Sequence, residues 1–187
     1  MLDKRSMERI IHQLWQPIDR TTDMRIFAVL DAARDRGIHL MLLDSDNDFF
    51  CLYRGERARA LADVAPYLVE LGREDKFTRS LIGQGWGRSW GIYLQSAAAL
   101  SQLKSHFRKF VMVYDEARRP LYFRYYDPRV LRVYLPTCNE ADLGAIFGPV
   151  ACYFTEGEES DTMVAYFTSE SKLVQSTFRL SDAGRSR

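Results

Sequence analysis

The stretch "MRIFAVLD", residues 24–31, decides how the chain folds. It is a nearly unbroken apolar run, which is typical of a strand covered on both faces of a sheet. Helical and strand patterns alternate on either side of it for the first two thirds of the sequence. The sequence therefore predicts a central strand here, in a sheet flanked by helices.

Apolar periodicity, capping residues and turn signals divide the rest of the chain into short elements. "DPRVLRVYL" is predicted as a short helix, because Asp is a good N-cap and Pro favours the first helical position. Another helix is expected to begin at Ser96, and the end of the chain reads as polar and frayed. The helices are predicted at 3–15, 35–44, 55–64, 74–85, from Ser96, at 127–135 and at 139–148. The other strands are predicted at 49–53, 67–71, 89–95, 110–115, 121–126, 151–157 and 162–168.

This order predicts an α/β or α+β fold: a mixed β-sheet with flanking helices and a small C-terminal α+β lobe. We place an α/β body at 1–126 and the smaller lobe at 127–187. No Gly/Ser-rich or Pro-rich linker separates them, so the two are expected to form one compact unit.

Composition limits the classes of function. The chain has 187 residues, 47% of them apolar, which suffices for a core without disulfides or metal. A net charge of +1 argues against a nucleic-acid partner. Cys51, Cys138 and Cys152 form no CxxC pair, which is typical of reduced thiols. With no apolar segment of signal-peptide or membrane-spanning length, we expect a cytoplasmic protein without a membrane partner.

Sites for chemistry find little support in the sequence. "GQGWGRSWG" (83–91) leads into a strand rather than a helix, so we interpret it as a turn rather than a phosphate cradle. The acidic run "EGEESD" (156–161) lacks metal-ligand spacing and reads as a solvated loop. Asp31, at the end of the central strand, is expected to cap the turn that follows it. We therefore predict no metal site and no cofactor.

One enzymatic alternative stays open at this point. Nucleophilic catalysis needs a Cys or Ser beside a histidine. The chain has three histidines, none within a catalytic motif, and the sequence does not say whether one of them meets Cys51 or Cys138. A small α/β hydrolase or transferase of this kind would place such a pair within hydrogen-bond reach at a pocket.

The stretch "FRYYDPRVLRVYLPTC" (123–138) concentrates arginines and aromatic rings around Asp127 and Pro128. Strand alternation over 121–126 places Tyr122, Arg124 and Tyr126 on one face. Arginines and rings together form either internal braces or the core of an interface, and the spacing does not choose between these. The group consists of Arg54, Trp86, Arg88, Trp90, Arg124, Tyr126, Arg129, Arg132 and Tyr134.

Seven segments together resemble one known family. They are "VLDAARD", "CLYRGE", "VAPYLVEL", "GWGRSWGIYL", "HFRKFVMV", "LYFRYYDPRVLRVYLPTC" and "FGPV", and they run in order from about Ile26 to about Val150. The family was first filed as a domain of unknown function and was later described as adaptor chaperones of bacterial type VI secretion.

The resemblance implies a cytoplasmic, non-enzymatic protein. Members bind a cognate effector, stabilise it and help to load it onto the VgrG or PAAR spike. A structural subunit of the secretion apparatus is the other alternative. We expect the effector to bind in a groove between body and lobe, with no catalytic residue. The predicted contact residues are Tyr122, Tyr126, Tyr134, Trp86 and Trp90. The predicted braces are Arg54, Arg88, Arg124, Asp127, Arg129 and Arg132.

Overall fold

The central strand lies where the apolar run predicted it. In the computed structural model, which describes residues 2–18, 23–159 and 161–181, strand β1 spans Arg25–Asp31. It pairs with β3 (Pro66–Leu71) on one side and with β4 (Gly91–Ser96) on the other. Every residue of β1 after Arg25 is buried, as expected for a strand covered on both faces.

The described residues contain seven α-helices and nine strands, numbered in chain order. The helices are α1 Lys4–Trp15, α2 Arg36–Leu43, α3 Gly55–Ala60, α4 Lys76–Gly85, α5 Leu100–Phe107, α6 Pro128–Tyr134 and α7 Glu140–Phe147, with 3₁₀ turns at Ala62–Val64 and Leu135–Thr137. The remaining strands are β2 Phe49–Cys51, β5 Met112–Tyr114, β6 Pro120–Tyr122, β7 Cys152–Glu156, β8 Thr162–Ser169 and β9 Lys172–Arg179.

Seven strands form one sheet in the order β2-β3-β1-β4-β7-β8-β9, while β5 and β6 form a separate hairpin. All pairings among the described strands are antiparallel, where the alternating order had suggested mixed directions. The predicted fold class, an α+β arrangement of a sheet and flanking helices, is confirmed. The C-terminal strands continue the sheet from β4 rather than forming a second one.

Helices cover both faces of the sheet and create two apolar cores. Ala28 and Leu30 of β1 point into the core beneath α1, α2 and α4. Phe27 and Val29 point into the core beneath α5, α6 and α7. Because side chains alternate along a strand, the apolar run of β1 supplies both cores at once.

Side-chain caps fix where several helices begin. Asp3, Asp35, Asp127 and Asn139 each accept a backbone N–H from the first turn of the helix that follows. Ser96 does not cap α5 as predicted, since it ends β4 and its hydroxyl donates to the Pro149 carbonyl at 2.5 Å. Asp127 and Pro128 begin α6 as predicted.

Two strand predictions are wrong. The strand expected over 121–126 ends at Tyr122, because the chain turns there and runs into α6. The segment read as a polar end contains β9, which pairs with β8 over eight residues. Its apolar residues Leu173, Val174 and Phe178 do not alternate regularly with polar ones, so its strand pattern is weak. The frayed tail predicted at 181–187 lies outside the described residues after position 181.

No helix within the described ranges has the length and apolar character needed to cross a bilayer.

Replacing Phe107 with Ala tests the second core. Its ring is fully buried and stacks on Tyr125 at 5.7 Å between centroids. We expect Phe107→Ala to lower the free energy of unfolding by about 3–5 kcal/mol, through lost burial and the cavity left behind. Urea denaturation measures this. The exposed Val133→Ala is the control and should stay within about 0.5 kcal/mol of the unaltered chain. Equal effects would contradict the packing described here.

Candidate partner-binding surface

The turn into α6 is organised by a buried carboxylate. Asp127 is 3% exposed, and its Oδ1 accepts the Arg129 backbone N–H at 2.9 Å, which caps the helix. The guanidinium of Arg129 donates to both carboxylate oxygens, from Nε at 3.0 Å and from Nη2 at 2.6 Å. Burial alone would raise the pKa of Asp127, but these hydrogen bonds outweigh it and hold that pKa below its ordinary value.

A second buried carboxylate lies at the end of β1. Asp31 accepts the Ala33 N–H at 3.1 Å, which is the predicted turn cap. Its other oxygen lies 3.5 Å from Nη1 of Arg124. Burial raises the pKa of Asp31, and the charge of Arg124 opposes that increase. Arg124 therefore links the segment before α6 to the central strand.

A third carboxylate, which the sequence analysis missed, is bound by the glycine-rich segment 83–91, which we call the glycine loop. Glu156, at the end of β7, accepts the Ser89 N–H at 3.2 Å, and the neighbouring N–H groups of Gly87 and Arg88 favour its charged form. Burial raises the pKa of Glu156, and these N–H groups oppose it. Arg132 adds a bond from α6 to the backbone carbonyl of Glu156 at 2.6 Å. The loop therefore binds an anion, and that anion is part of the chain itself.

The predicted braces are placed unequally. Arg124, Arg129 and Arg132 make the contacts described above. Arg88 bonds Asp35 at 3.1 Å and lies over the ring of Trp90 at 5.2 Å. Arg54 is exposed, and within the described residues its side chain makes no hydrogen bond or ion pair, so the structure gives it no bracing contact.

Three of the predicted contact residues belong to the core. Tyr126 is 2% exposed and packs edge-on against Tyr125, with 5.3 Å between the ring centroids. Trp86 and Trp90 are also buried. The outward orientation predicted for Tyr126 is wrong, because strand alternation does not continue past Tyr122. None of these three rings offers contact area to a partner in this conformation.

The other two predicted contact residues reach the surface. Tyr122 is 50% exposed on β6. Tyr134, on α6, is partly buried, and its ring meets that of Phe123 edge-on at 4.8 Å. Because Phe123 follows Tyr122 directly, its ring connects the hairpin to α6.

The β5–β6 hairpin exposes apolar side chains on both of its faces. Val113 and Leu121 are paired and share one face. Tyr122 and Tyr114 point to the other face, and Tyr114 is 67% exposed. We call these four residues the hairpin surface. Nothing in the sequence pattern distinguished these four residues from those of an ordinary strand pair.

Beside the hairpin, α6 borders an open, largely apolar depression of about 650 Å³. Val133 lies on its wall and is 71% exposed. The depression is lined by Phe123, Asp127, Arg129, Val130, Val133, Tyr134 and Thr137. It lies between the hairpin and the carboxylate–arginine contacts at the start of α6.

The enzymatic alternative gains no support from the cysteines and histidines. The His106 ring bonds the Ile146 carbonyl at 3.0 Å, and the Cys138 thiol bonds the Tyr134 carbonyl at 3.5 Å. Burial raises the pKa of Cys51 and of Cys138, which disfavours the reactive thiolate. Across 2–18, 23–159 and 161–181, no cysteine is hydrogen-bonded to a histidine, and no group of three or more His, Cys, Asp or Glu is placed to hold a metal.

Comparison with known proteins finds one match. A family model described as "Domain of unknown function (DUF4123)" matches residues 26–145, nearly two thirds of the chain. No curated protein and no solved structure matches. The matched region begins in β1 and ends within α7, so it includes the hairpin, α6 and Asp127.

Substituting Asp127 separates its capping and ion-pairing roles. We expect Asp127→Ala to cost about 1–2 kcal/mol at pH 7, the value of a lost N-cap, because solvent reaches the half-exposed Arg129. Asp127→Asn keeps the cap acceptor and should cost less. Because folding lowers the pKa of Asp127, its contribution is present above the unfolded value of about 4 and is lost as pH falls below it.

Urea denaturation at pH 7 and at pH 3 measures both effects. The difference between the unaltered chain and Asp127→Ala should shrink at the lower pH. A difference that grows on acidification would contradict a carboxylate stabilised in its charged form.

Proposed function

The chain belongs to this family of domains of unknown function, and we propose that it is a non-catalytic adaptor chaperone for a secreted effector of a type VI secretion system. In this proposal it binds one cognate effector in the cytoplasm, stabilises it and helps to load it onto the VgrG or PAAR spike. The match to this family and the resemblance of residues 26–150 to adaptor chaperones of type VI secretion support this proposal.

The observation that carries the proposal is the hairpin surface. A two-stranded ribbon is at best marginally stable in water unless another surface covers it. Here Leu121 and Tyr122 point to opposite faces of the ribbon, and each is about half exposed. An exposed apolar patch on both faces of one hairpin is typical of a protein-binding element. A partner that packed against it would bury these side chains and stabilise the hairpin.

The location of this surface differs from the groove predicted between body and lobe. Tyr126, which was expected to line that groove, is buried. Strand β7 pairs directly with β4, so the sheet continues across the expected boundary. We therefore assign effector contact to the hairpin surface and the adjoining depression beside α6, with Tyr122 and Tyr134 retained from the predicted set.

Binding of this kind acts by mass action. A stable interface buries roughly 1,200–2,000 Å² in total, more than four side chains supply, so the depression beside α6 would be covered as well. A ligand that binds only the folded effector stabilises it by RT ln(1 + [L]/Kd), which is about 2.7 kcal/mol at a hundredfold excess over Kd. No covalent step is required.

Co-purification with the effector encoded beside this protein tests the proposal. We expect Leu121→Thr/Tyr122→Thr to reduce capture of the co-expressed effector at least tenfold, because both faces of the hairpin lose apolar contact area. Threonine keeps the strand propensity of the hairpin.

The matched control is Leu40→Gln/Leu43→Gln, which removes two leucines that are 66% and 61% exposed on α2, a surface outside the proposed site. It should capture the effector normally. Full capture by the hairpin variant, or an equal loss of capture in the control, would overturn the assignment. Recovery of the chain as a stoichiometric part of the assembled apparatus would favour the structural-subunit alternative instead.

A further inference from the structure

We propose that the depression beside α6, together with the arginine cluster at its Arg129 edge, binds an acidic segment of the partner. A carboxylate of that segment would lie at Arg34, Arg124 and Arg129, and neighbouring apolar side chains would lie against Val133. This inference rests on the proposed adaptor function and names the chemistry of the segment that the surface receives.

Three guanidiniums surround two buried carboxylates at this edge of the sheet. Arg129 pairs with Asp127, and Arg124 pairs with Asp31. Arg34 lies close enough for its charge to favour ionisation of both carboxylates. Glu156 also acts on Arg129 and is offset by Arg132, so the four positive groups still exceed the three negative ones by one charge.

The two signs of charge occupy different depths. The side chains of Asp31 and Asp127 are only 1% and 5% exposed. The side chains of Arg124 and Arg129 are about half exposed, and Arg34 is exposed as well. A molecule that approaches from solvent therefore meets guanidinium groups, while the carboxylates that balance them lie beneath.

The arginines also keep hydrogen-bond donors for a further acceptor. A guanidinium has five N–H donors. Arg129 uses those of Nε and Nη2 on Asp127, which leaves Nη1 uncommitted in the described part of the chain. Arg124 contacts Asp31 through Nη1 alone, at the long distance of 3.5 Å. Arg34 donates from Nη2 to the Arg88 carbonyl, also weakly, at 3.4 Å. A carboxylate suits such planar, multiple donors.

The apolar half of the site adjoins the arginine cluster through Arg129, the member of the cluster that lines the depression. Arg129 and Val133 both line the depression and are one helical turn apart on α6. Phe123 and Tyr134 also line the depression, with their rings in contact. A segment with a carboxylate one turn from apolar side chains matches this spacing.

A protein segment fits these features better than a nucleic acid does. The chain carries a net charge of only +1, whereas phosphate-backbone binding depends on a broad basic surface. Its depression is largely apolar, and a phosphate would use the guanidiniums while leaving that area uncovered. The pairing of one small basic cluster with one apolar depression therefore favours an acidic, apolar peptide.

Selection from a random peptide library tests the chemistry of the bound segment directly. A phage-displayed library of random 16-residue peptides is panned against the full chain. We expect the enriched peptides to share an Asp or Glu three or four residues from an aromatic or large aliphatic side chain. A synthetic copy of one enriched peptide then gives Kd by fluorescence anisotropy.

Two variants test the two halves of the site. Arg34→Gln should weaken the peptide about three- to tenfold, and it leaves both buried carboxylates with their ion-pair partners. Val133→Asp should weaken it more than tenfold, since a carboxylate there repels the acidic peptide and disrupts the apolar contact. Thermal unfolding confirms that each variant is folded. Raising NaCl from about 0.05 to 0.3 M should weaken binding to the unaltered chain more than to Arg34→Gln.

The control is Arg73→Gln/Lys76→Gln, which removes two exposed positive charges at the opposite end of β3. It should bind the peptide with unchanged Kd. Failure to enrich any peptide, enrichment without an acidic residue, or an unchanged Kd for Arg34→Gln would overturn the inference. Tighter binding of a single-stranded oligonucleotide than of the peptides would overturn it in favour of a nucleic-acid site.

The effector experiment separates this inference from the proposed function. If the adjacent effector is captured equally by the unaltered chain and by Arg34→Gln, the adaptor function stands and the acidic-segment inference fails. If acidic peptides bind but no effector is captured, the site is real and the proposed function fails.

Discussion

The carboxylate of Asp127 is the contact on which the candidate surface depends. It caps α6 and pairs with Arg129, so it sets where the helix starts and how it leaves the turn. From that start, Leu131 enters the second core while Val133 faces solvent. A helix that began one residue later would rotate its side chains by about 100° and exchange buried positions for exposed ones. The surface offered to a partner is therefore set by one buried cap.

Three buried carboxylates connect this turn to the rest of the sheet. Asp31 ends β1, Asp127 begins α6 and Glu156 ends β7, and each is held by guanidinium or backbone N–H donors. Burying a charge is costly unless it is paired. Removing one partner of a buried pair destabilises a protein more than replacing the whole pair with apolar residues. These contacts therefore tie the central strand, the glycine loop and α6 into one arrangement. Arginines that also face solvent can serve this internal pairing and a bound partner together.

Elements with local sequence signals were predicted correctly. Side-chain positions that depend on a turn or on a distant segment were not. The run of β1 and the pair Asp127-Pro128 carry their own signals, and both elements form where predicted. Tyr126 was misplaced because alternation was continued through a turn that no residue marks. Glu156 lay in an acidic run that reads as solvated, and its N–H donors come from a segment far away in the sequence. Pairing with the edge of β8, rather than its own pattern, makes β9 a strand.

The stretch that most resembles the adaptor family is chiefly a fold element. Tyr125, Tyr126 and Asp127 are buried, so a partner does not contact them. The family match ends at residue 145, yet β7 lies beyond it and pairs with β4, so the matched part alone would leave β4 as an open edge. An open edge of a buried strand invites non-native pairing, and β7 covers that edge in the complete sheet. The side chains of this region that remain exposed lie around this frame, on the hairpin and on the solvent face of α6.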